Sequence, residues 1–297
     1  NGTYIHIKDK GFIIRDKTGK AIRIVGATSD ITKREKAKLL VNDEKHIMEK
    51  IANNDSLKNI LTAITLTIEK QIQNSFCSIL LLDANGLHLR SVAGPSLPKD
   101  YSLAIDGLAI GEHTGSCGTA AYKKEPVFVS NIAKDPLWKD YKELALYHGL
   151  KACWSLPIIS KIKNEVLGTF AVYYPSIMTP KPTDIALLKR VSNYVRIAIE
   201  KNKATTILID SETKYRNLFE RNLTGTYQTT LEGKILRTNT TFANIMGYET
   251  PDKLLKESAE IIYFLEEDRK ILIEELKTEK KKNISRRQFL KLLNKLL

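Results

Sequence analysis

The sequence predicts an α+β fold: an antiparallel sheet flanked by helices, with smaller α+β pieces at both ends joined to it by long helices. Three observations predict it. Short apolar runs bounded by turn residues, at 76–83, 87–93 and 166–174, read as strands. Stretches near 33–60 and 185–216 carry apolar residues at helical spacing. Between the strand runs lies a glycine-rich turn, Gly115-Ser116-Cys117-Gly118, that leads into a short helical segment. The length of 297 residues suggests about two domains at roughly 150 residues each.

Residues 1–32 read as β structure. Phe12-Ile13-Ile14-Arg15 and Ile22-Arg23-Ile24-Val25-Gly26 flank Asp16-Lys17-Thr18-Gly19-Lys20, the pattern of a hairpin. A helix is expected over 33–60, with Thr32 as its cap and Glu35 three residues on as in a capping box. Leu39, Leu40, Ile47, Ile51 and Leu57 supply its apolar face. Asn53-Asn54-Asp55-Ser56 interrupts it and caps a following helix from Leu57 to about Gln73.

The central stretch begins with the strand at 76–83, turns at Asn85-Gly86 and returns over 87–93. Gly94-Pro95-Ser96-Leu97-Pro98 breaks the sheet, and 101–105 reads as a short strand or loop. A short helix follows over 119–124, then a strand at 126–129. Asp135-Pro136-Leu137-Trp138 opens a helical segment through Tyr147. Strands at 154–159 and 166–174 close the sheet. The last helix carries Ile185, Leu187, Leu188, Val191, Val195, Ile197 and Ile199 as a wide apolar stripe, and 198–216 continues it with many charges.

Charge and cysteine usage narrow the class. The net charge of +13 is confined to the ends: 1–40 contributes +6 and 277–297 contributes +7, while 41–276 holds 29 cations against 29 anions. A nucleic-acid binder shows a basic face interleaved with aromatics, and none is visible, so no nucleic-acid partner is expected. No apolar run approaches the roughly 20 residues that span a bilayer, so no membrane contact is expected within this stretch. The chain begins with Asn1 and shows no signal-peptide pattern, which suggests a piece of a larger cytoplasmic protein. Cys77, Cys117 and Cys153 are widely spaced, with no Cys-x-x-Cys and no Cys/His spacing for a metal. An odd count without a secretion signal fits a reducing compartment.

The central stretch resembles a GAF domain, the small sensory α/β module of signalling proteins. The residues that carry the resemblance are Gly115-Ser116-Cys117-Gly118-Thr119-Ala120-Ala121-Tyr122, His148-Gly149-Leu150-Lys151-Ala152-Cys153-Trp154-Ser155-Leu156-Pro157-Ile158 and Val166-Leu167-Gly168-Thr169-Phe170-Ala171-Val172-Tyr173-Tyr174. The resemblance implies a GAF domain over 57–203. The flanks resemble pieces of PAS domains. Residues 1–32, ending Asp30-Ile31-Thr32, look like the last strands of one, and 33–56 like a signalling linker helix. After a linker helix over 204–214, residues 215–297 look like the opening of a second, with Asn239, Phe242, Gly247 and Tyr248 in its first helix. The basic, leucine-rich run at 278–297 departs from that pattern.

Apolar walls with a few polar groups make a small-molecule pocket. Ser116, Cys117, Thr119, Trp138, Tyr141, Cys153, Trp154, Ser155 and Tyr173 are the residues expected to line it. Cys117 and Cys153 are candidate redox thiols. They also match two short patterns of free-methionine-sulfoxide reductases, which are GAF enzymes. Those enzymes carry acidic residues soon after the second cysteine; here Trp154-Ser155-Leu156-Pro157-Ile158-Ile159-Ser160 has none. His88, His113 and His148 have no visible orienting partner for haem or metal. Neither a cofactor nor a ligand is specified by the sequence. The resemblance implies the sensory region of a histidine kinase that relays pocket occupancy or redox state through linker helices to an output domain or response regulator, as a homodimer. A diguanylate cyclase or phosphodiesterase parent is the alternative, with the reductase third. No phospho-acceptor helix, ATP-binding domain or cyclase signature appears, so no catalytic residue is named.

Overall fold

The computed structural model describes residues 5–263 and 265–278. The chain folds as two compact units that divide between Ala204 and Thr205. The first opens with a hairpin, β1 (Ile7–Arg15) and β2 (Ala21–Asp30), paired with Ile13 opposite Ile24. Its turn is closed by Asp16, whose carboxylate accepts from the Thr18 and Lys20 N–H groups at 2.9 and 3.0 Å. Every side chain of both strands is exposed, Phe12 and Ile24 among them.

Helix α1 (Thr32–Ala52) follows. The capping box expected at its start does not form. Ile31 is the capping residue, with no side-chain cap bond. The Thr32 hydroxyl instead accepts from the His6 N–H at 2.8 Å, while the Thr32 N–H is taken by Asp30. The helix also ends earlier than 60, because Asn54 takes a left-handed conformation at φ 58°. Ser56 then caps α2 (Leu57–Gln71), accepting from the Asn59 N–H as the sequence suggested.

The sheet is built from β3 (Phe76–Leu82), β4 (His88–Ala93), β5 (Leu108–Ala109), β6 (Val127–Val129), β7 (Ala152–Ile159) and β8 (Val166–Tyr174). Its order is β5-β4-β3-β8-β7-β6, and each neighbouring pair runs antiparallel. Between β4 and β5 lies α3 (Lys99–Ala104), a helix where the sequence suggested a strand or loop. The start of α3 follows Pro98, whose fixed φ suits a helix entry and whose missing N–H costs nothing there. Next come α4 (Gly115–Lys123), a 3-10 turn at Pro136–Trp138 and α5 (Lys142–Tyr147). The helical segment expected from 135 to 147 is thus two short pieces. The first is capped by Asp135, which accepts from the Leu137 N–H.

Strand alternation splits the interior into two cores. One face of β3, β7 and β8 carries Cys77, Ile79, Trp154, Leu156, Phe170 and Val172 against α1, α2 and the first half of α6 (Pro182–Glu220). Ile60, Leu61, Ile64 and Ile68 of α2 are buried there, each worth about 1.5–3 kcal/mol by area. From α6, Leu188, Val191, Val195, Ala198 and Ile199 face the same core. The opposite face carries Leu80, Cys153, Ala171 and Tyr173 under α3, α4 and α5. Among the described residues, no helix is long and apolar enough to cross a membrane.

The second unit contains the hairpin β9 (Tyr227–Thr229) and β10 (Ile235–Thr238), then α7 (Thr240–Ile245), α8 (Pro251–Leu254) and α9 (Glu266–Thr278). Asn239 organises it. Its side chain caps α7 through Phe242 N–H, accepts from Thr226 N–H, and donates to the Phe219 and Thr224 carbonyls. The basic run at 279–297 lies outside the described residues.

Candidate functional site

The site lies between α4 and the sheet. Thr114 and Thr119 fix the loop that delivers α4. The Thr114 N–H donates to Thr119 Oγ1 at 3.3 Å, and that hydroxyl donates to the Glu112 carbonyl at 3.2 Å. Gly118 is required by contact: a Cβ there would stand 2.1 Å from Thr114 Oγ1 and 2.8 Å from the Ala109 carbonyl oxygen. Gly115 opens the helix at φ 59°, a conformation glycine adopts freely.

From this start, Ser116 and Cys117 point toward β7 and β8. The Ser116 hydroxyl donates to the Cys153 carbonyl at 3.1 Å and accepts from Trp138 Nε1 at 3.0 Å. Cys117 Sγ lies 3.7 Å from Tyr173 Oη. Tyr173 is the direct cross-strand partner of Cys153. The Tyr101 ring stands edge-on to Tyr173, with centroids 5.7 Å apart. These residues enclose a cavity of about 20 Å³, room for a water or so. Its walls are Leu80, Tyr101, Ile105, Leu108, Thr114, Gly115, Ser116, Cys117, Trp138, Tyr141, Leu144 and Tyr173. None of them is charged.

Of the nine residues singled out from sequence, Ser116, Cys117, Trp138, Tyr141 and Tyr173 line the cavity. Cys153 and Ser155 lie on the same sheet face, two strand positions apart with Trp154 between them. Thr119 holds the loop and is not a wall. Trp154 points the other way. It packs in the opposite core, 4.5 Å from the Tyr174 ring, and donates Nε1–H to the Met178 carbonyl at 3.2 Å. Period-two alternation cannot put Cys153, Trp154 and Ser155 in one pocket. Sequence reasoning missed Tyr101, Leu80, Ile105, Leu108, Thr114 and Leu144 as walls.

Three hydroxyls on this sheet face have no hydrogen-bond partner although their oxygens are buried: Ser78, Ser155 and Thr169. Ser78 and Ser155 both pair with Ala171, from its two neighbouring strands, and Thr169 sits two positions along β8 from Ala171. A buried hydroxyl without a partner costs about 1–3 kcal/mol, so this polar row is a place that favours an added hydrogen-bonding group.

The thiols differ sharply. The Cys153 thiol, directed at the Cys117 sulfur, holds Cys117 down to about 7 against desolvation, helped at longer range by Ser155, Tyr173 and Thr169. Cys153 itself is pushed well up, first by burial and then by its neighbour Cys117. Burial also raises Tyr101 and Tyr173. The histidines do other work. His88 pairs with Asp83 at 3.3 Å, and the His148 ring meets Tyr101 and Tyr147 edge-on. Among the described residues, no group of three His, Cys, Asp or Glu side chains is placed to hold a metal ion. A wider, solvent-open cleft of about 710 Å³, bordered by Asp83, Tyr122, Lys124, Glu165 and Lys203, contains none of the predicted site residues.

Comparison with known proteins places this geometry. Residues 56–199 match the family model for the GAF domain. A curated relative, the methyl sulfide methyltransferase-associated sensor of Methanosarcina acetivorans, is 31% identical over 263 residues. That match covers 88% of this chain and 26% of the sensor, so the chain spans about a quarter of the relative's length. Among solved structures, the GAF domain of a phosphoenolpyruvate-protein phosphotransferase from Coxiella burnetii aligns at 16% identity and TM-score 0.47, over 58% of this chain and 98% of that one. A domain assigned to a two-component sensor histidine kinase of Sinorhizobium meliloti aligns at 22% identity and TM-score 0.44, over 52% and 97%. The free methionine-R-sulfoxide reductase of Neisseria meningitidis aligns at 16% identity and TM-score 0.43, over 54% and 87%. The six-stranded antiparallel sheet, its helices and the family match agree: residues 56–199 of this chain are a GAF domain.

Proposed function

We propose that this chain is the sensory region of a larger signal-transduction protein, with a histidine kinase as the parent, and that the chamber under α4 is where the signal is read. The observation that carries the reading is the small, charge-free chamber between α4 and the sheet, with a row of buried hydroxyls, Ser78, Ser155 and Thr169, on the same sheet face. Its walls suit a small neutral molecule. No wall residue matches the charges of a free amino acid or of a phosphate. The name of the curated relative, a sensor, supports the same reading.

The relay follows from strand alternation. Cys153 faces the α4 side of the sheet, and its chain neighbour Trp154 faces α1, α2 and α6. Trp154 holds the Met178 carbonyl a few residues before α6 begins. A shift of β7 that accommodates a ligand therefore reaches the root of α6. We read the β1–β2 hairpin as the end of a PAS domain, residues 215–297 as the start of another, and α1 and α6 as the helices through which two copies pair. Such a protein works in the cytoplasm. Its output is set by the balance between two arrangements that the ligand biases.

Trp138 and Trp154 are the two tryptophans of the chain. In a Trp154→Phe chain, Trp138 reports on the chamber alone. A library of small neutral molecules screened by its emission should yield ligands that shift the spectrum in the unmodified floor. The same ligands should lose their effect in Ser155→Val or Thr169→Val chains. Ligands that act equally well on all three chains would place binding elsewhere.

A further inference from the structure

Cys117, a wall of the chamber, and Cys153, on the same sheet face, have a use beyond packing. Cys117 stands on the first turn of α4, directly above the cross-strand pair Cys153–Tyr173. Its neighbour Ser116 is bonded to the Cys153 carbonyl, which fixes the two cysteine backbones against each other. Both thiols are free and buried. The space beside them holds only a water-sized molecule and offers no charge. The hydroxyls of Ser155 and Thr169 lie on the same face and bear on the Cys117 sulfur.

We propose that Cys117 and Cys153 form a peroxide-reactive pair, in which a small neutral hydroperoxide enters the chamber, oxidises Cys117, and Cys153 closes a disulfide. The proposal rests on the reading of the chamber as the sensing site and names its chemistry. Cys117 gives up its proton, and the thiolate attacks one peroxide oxygen. The O–O bond breaks, a Cys117 sulfenic acid forms, and the departing hydroxide takes up that proton as water. Cys153 then attacks the sulfenic sulfur, the S–O bond breaks, and a second water leaves with the Cys153 proton. The balance is two thiols and one hydrogen peroxide giving one disulfide and two waters. The Ser155 and Thr169 hydroxyls, which bear on the Cys117 sulfur, are placed to donate to the sulfenic oxygen. Cys117 lines the cavity and Cys153 lies behind it on β7, which assigns attack to the first and resolution to the second. Cys77 is an internal control. It is equally buried but lies in the opposite core, and burial there keeps its thiol protonated.

The test uses the full chain, hydrogen peroxide and peptide mapping without reductant. A Cys117–Cys153 disulfide with Cys77 still free is expected. A Cys153→Ser chain should stop at a Cys117 sulfenic acid that a 1,3-diketone traps. In Cys117→Ser or Cys117→Ala chains, checked for folding by circular dichroism, Cys153 should react about tenfold or more slower, since a protonated thiol is a poor nucleophile. Cumene hydroperoxide, too large for the cavity, should also be slower by about tenfold or more than hydrogen peroxide, after allowance for their rates with a free thiol. Oxidation of Cys117 no faster than of Cys77, or unchanged Cys153 reactivity without Cys117, overturns the pair. Failure of the sensory reading looks different: the disulfide forms, yet Trp138 emission and the helices do not respond. Conversely, neutral ligands that still shift Trp138 in a Cys117→Ser/Cys153→Ser chain that shows no peroxide chemistry leave the chamber reading intact and overturn the thiol proposal.

Discussion

Trp138 is fastened to Ser116: its indole N–H donates to the Ser116 hydroxyl at 3.0 Å, and that hydroxyl spends its own hydrogen on the Cys153 carbonyl. One small side chain thus ties the wall of the chamber to its floor. Ser116→Ala removes the acceptor from a buried indole and the donor from a buried carbonyl. The expected cost is about 1–3 kcal/mol. Urea unfolding of the Trp154→Phe chain with and without the change measures it. Trp138 emission should also shift to the red as water enters. A chain that unfolds at the same urea concentration with unchanged emission would show that the latch does not hold the wall.

Gly168 is the second fixed point. A Cβ at this position in β8 would fall 2.2 Å from the Leu80 carbonyl oxygen and 3.0 Å from Leu81 Cα. Both are backbone atoms of β3, the neighbouring strand, and cannot move aside without breaking the β3–β8 ladder. Gly168→Ala should therefore cost about 1–3 kcal/mol or more, with a melting temperature lower by several degrees. Calorimetry gives the answer. Gly86→Ala is a useful comparison, since a Cβ there meets nothing within 4 Å and only the φ of 74° opposes it.

How far the sequence reached is visible in these particulars. The sheet strands and the Ser56 cap were legible because period-two runs and capping residues act locally. The chamber was legible in part. Ser116, Cys117, Trp138, Tyr141 and Tyr173 meet there, but Trp154 was placed in it against the alternation that its own strand imposes. Tyr101 was missed because 99–104 is too short for a periodic signal, and only Pro98 marks the helix start. Ser155 is legible as a site residue, whereas Ser78 and Thr169 carry the same signal, hydroxyls inside otherwise apolar strands, and are not singled out from sequence. Thr32 failed as a cap for a non-local reason: the His6 N–H, 26 residues away, takes its hydroxyl.

Glu200 gives a pH prediction. Burial raises its carboxyl, but the Ser160 hydroxyl at 2.8 Å and the Arg196 guanidinium at 2.5 Å outweigh that and leave it below the ordinary value. A carboxyl held low in the folded state adds stability above its unfolded value, near 4.3, and loses it as pH falls through the folded value below that. Glu200→Gln should therefore be less stable than the parent at neutral pH by roughly 1 kcal/mol, and the two should converge in acid. Unfolding curves from pH 7 down to about 3 show whether they do. A constant difference across the range would assign the effect to shape rather than charge.

Lys201 caps a helix other than its own. Its ammonium group donates to the Ile51 and Ala52 carbonyls at the end of α1, tying α1 to α6. Lys201→Met keeps most of the stem and removes the cation. The loss should be about 0.3–1 kcal/mol, felt mainly in the last turn of α1. Amide exchange of Lys50 to Asn53 should quicken while α2 is unchanged. Equal exchange in both chains would mean that the contact contributes nothing.

The central claim is that the chamber under α4 governs the helices on the far side of the sheet. The most direct measurement is hydrogen exchange over α1 and 182–204 of α6, with the chamber empty and with it filled by a neutral ligand or by peroxide oxidation of Cys117. The account predicts changed protection in both helices, lost when Trp154→Phe removes the bond to the Met178 carbonyl. Protection that changes around α4 and β7 but stays the same in α1 and α6 would contradict it.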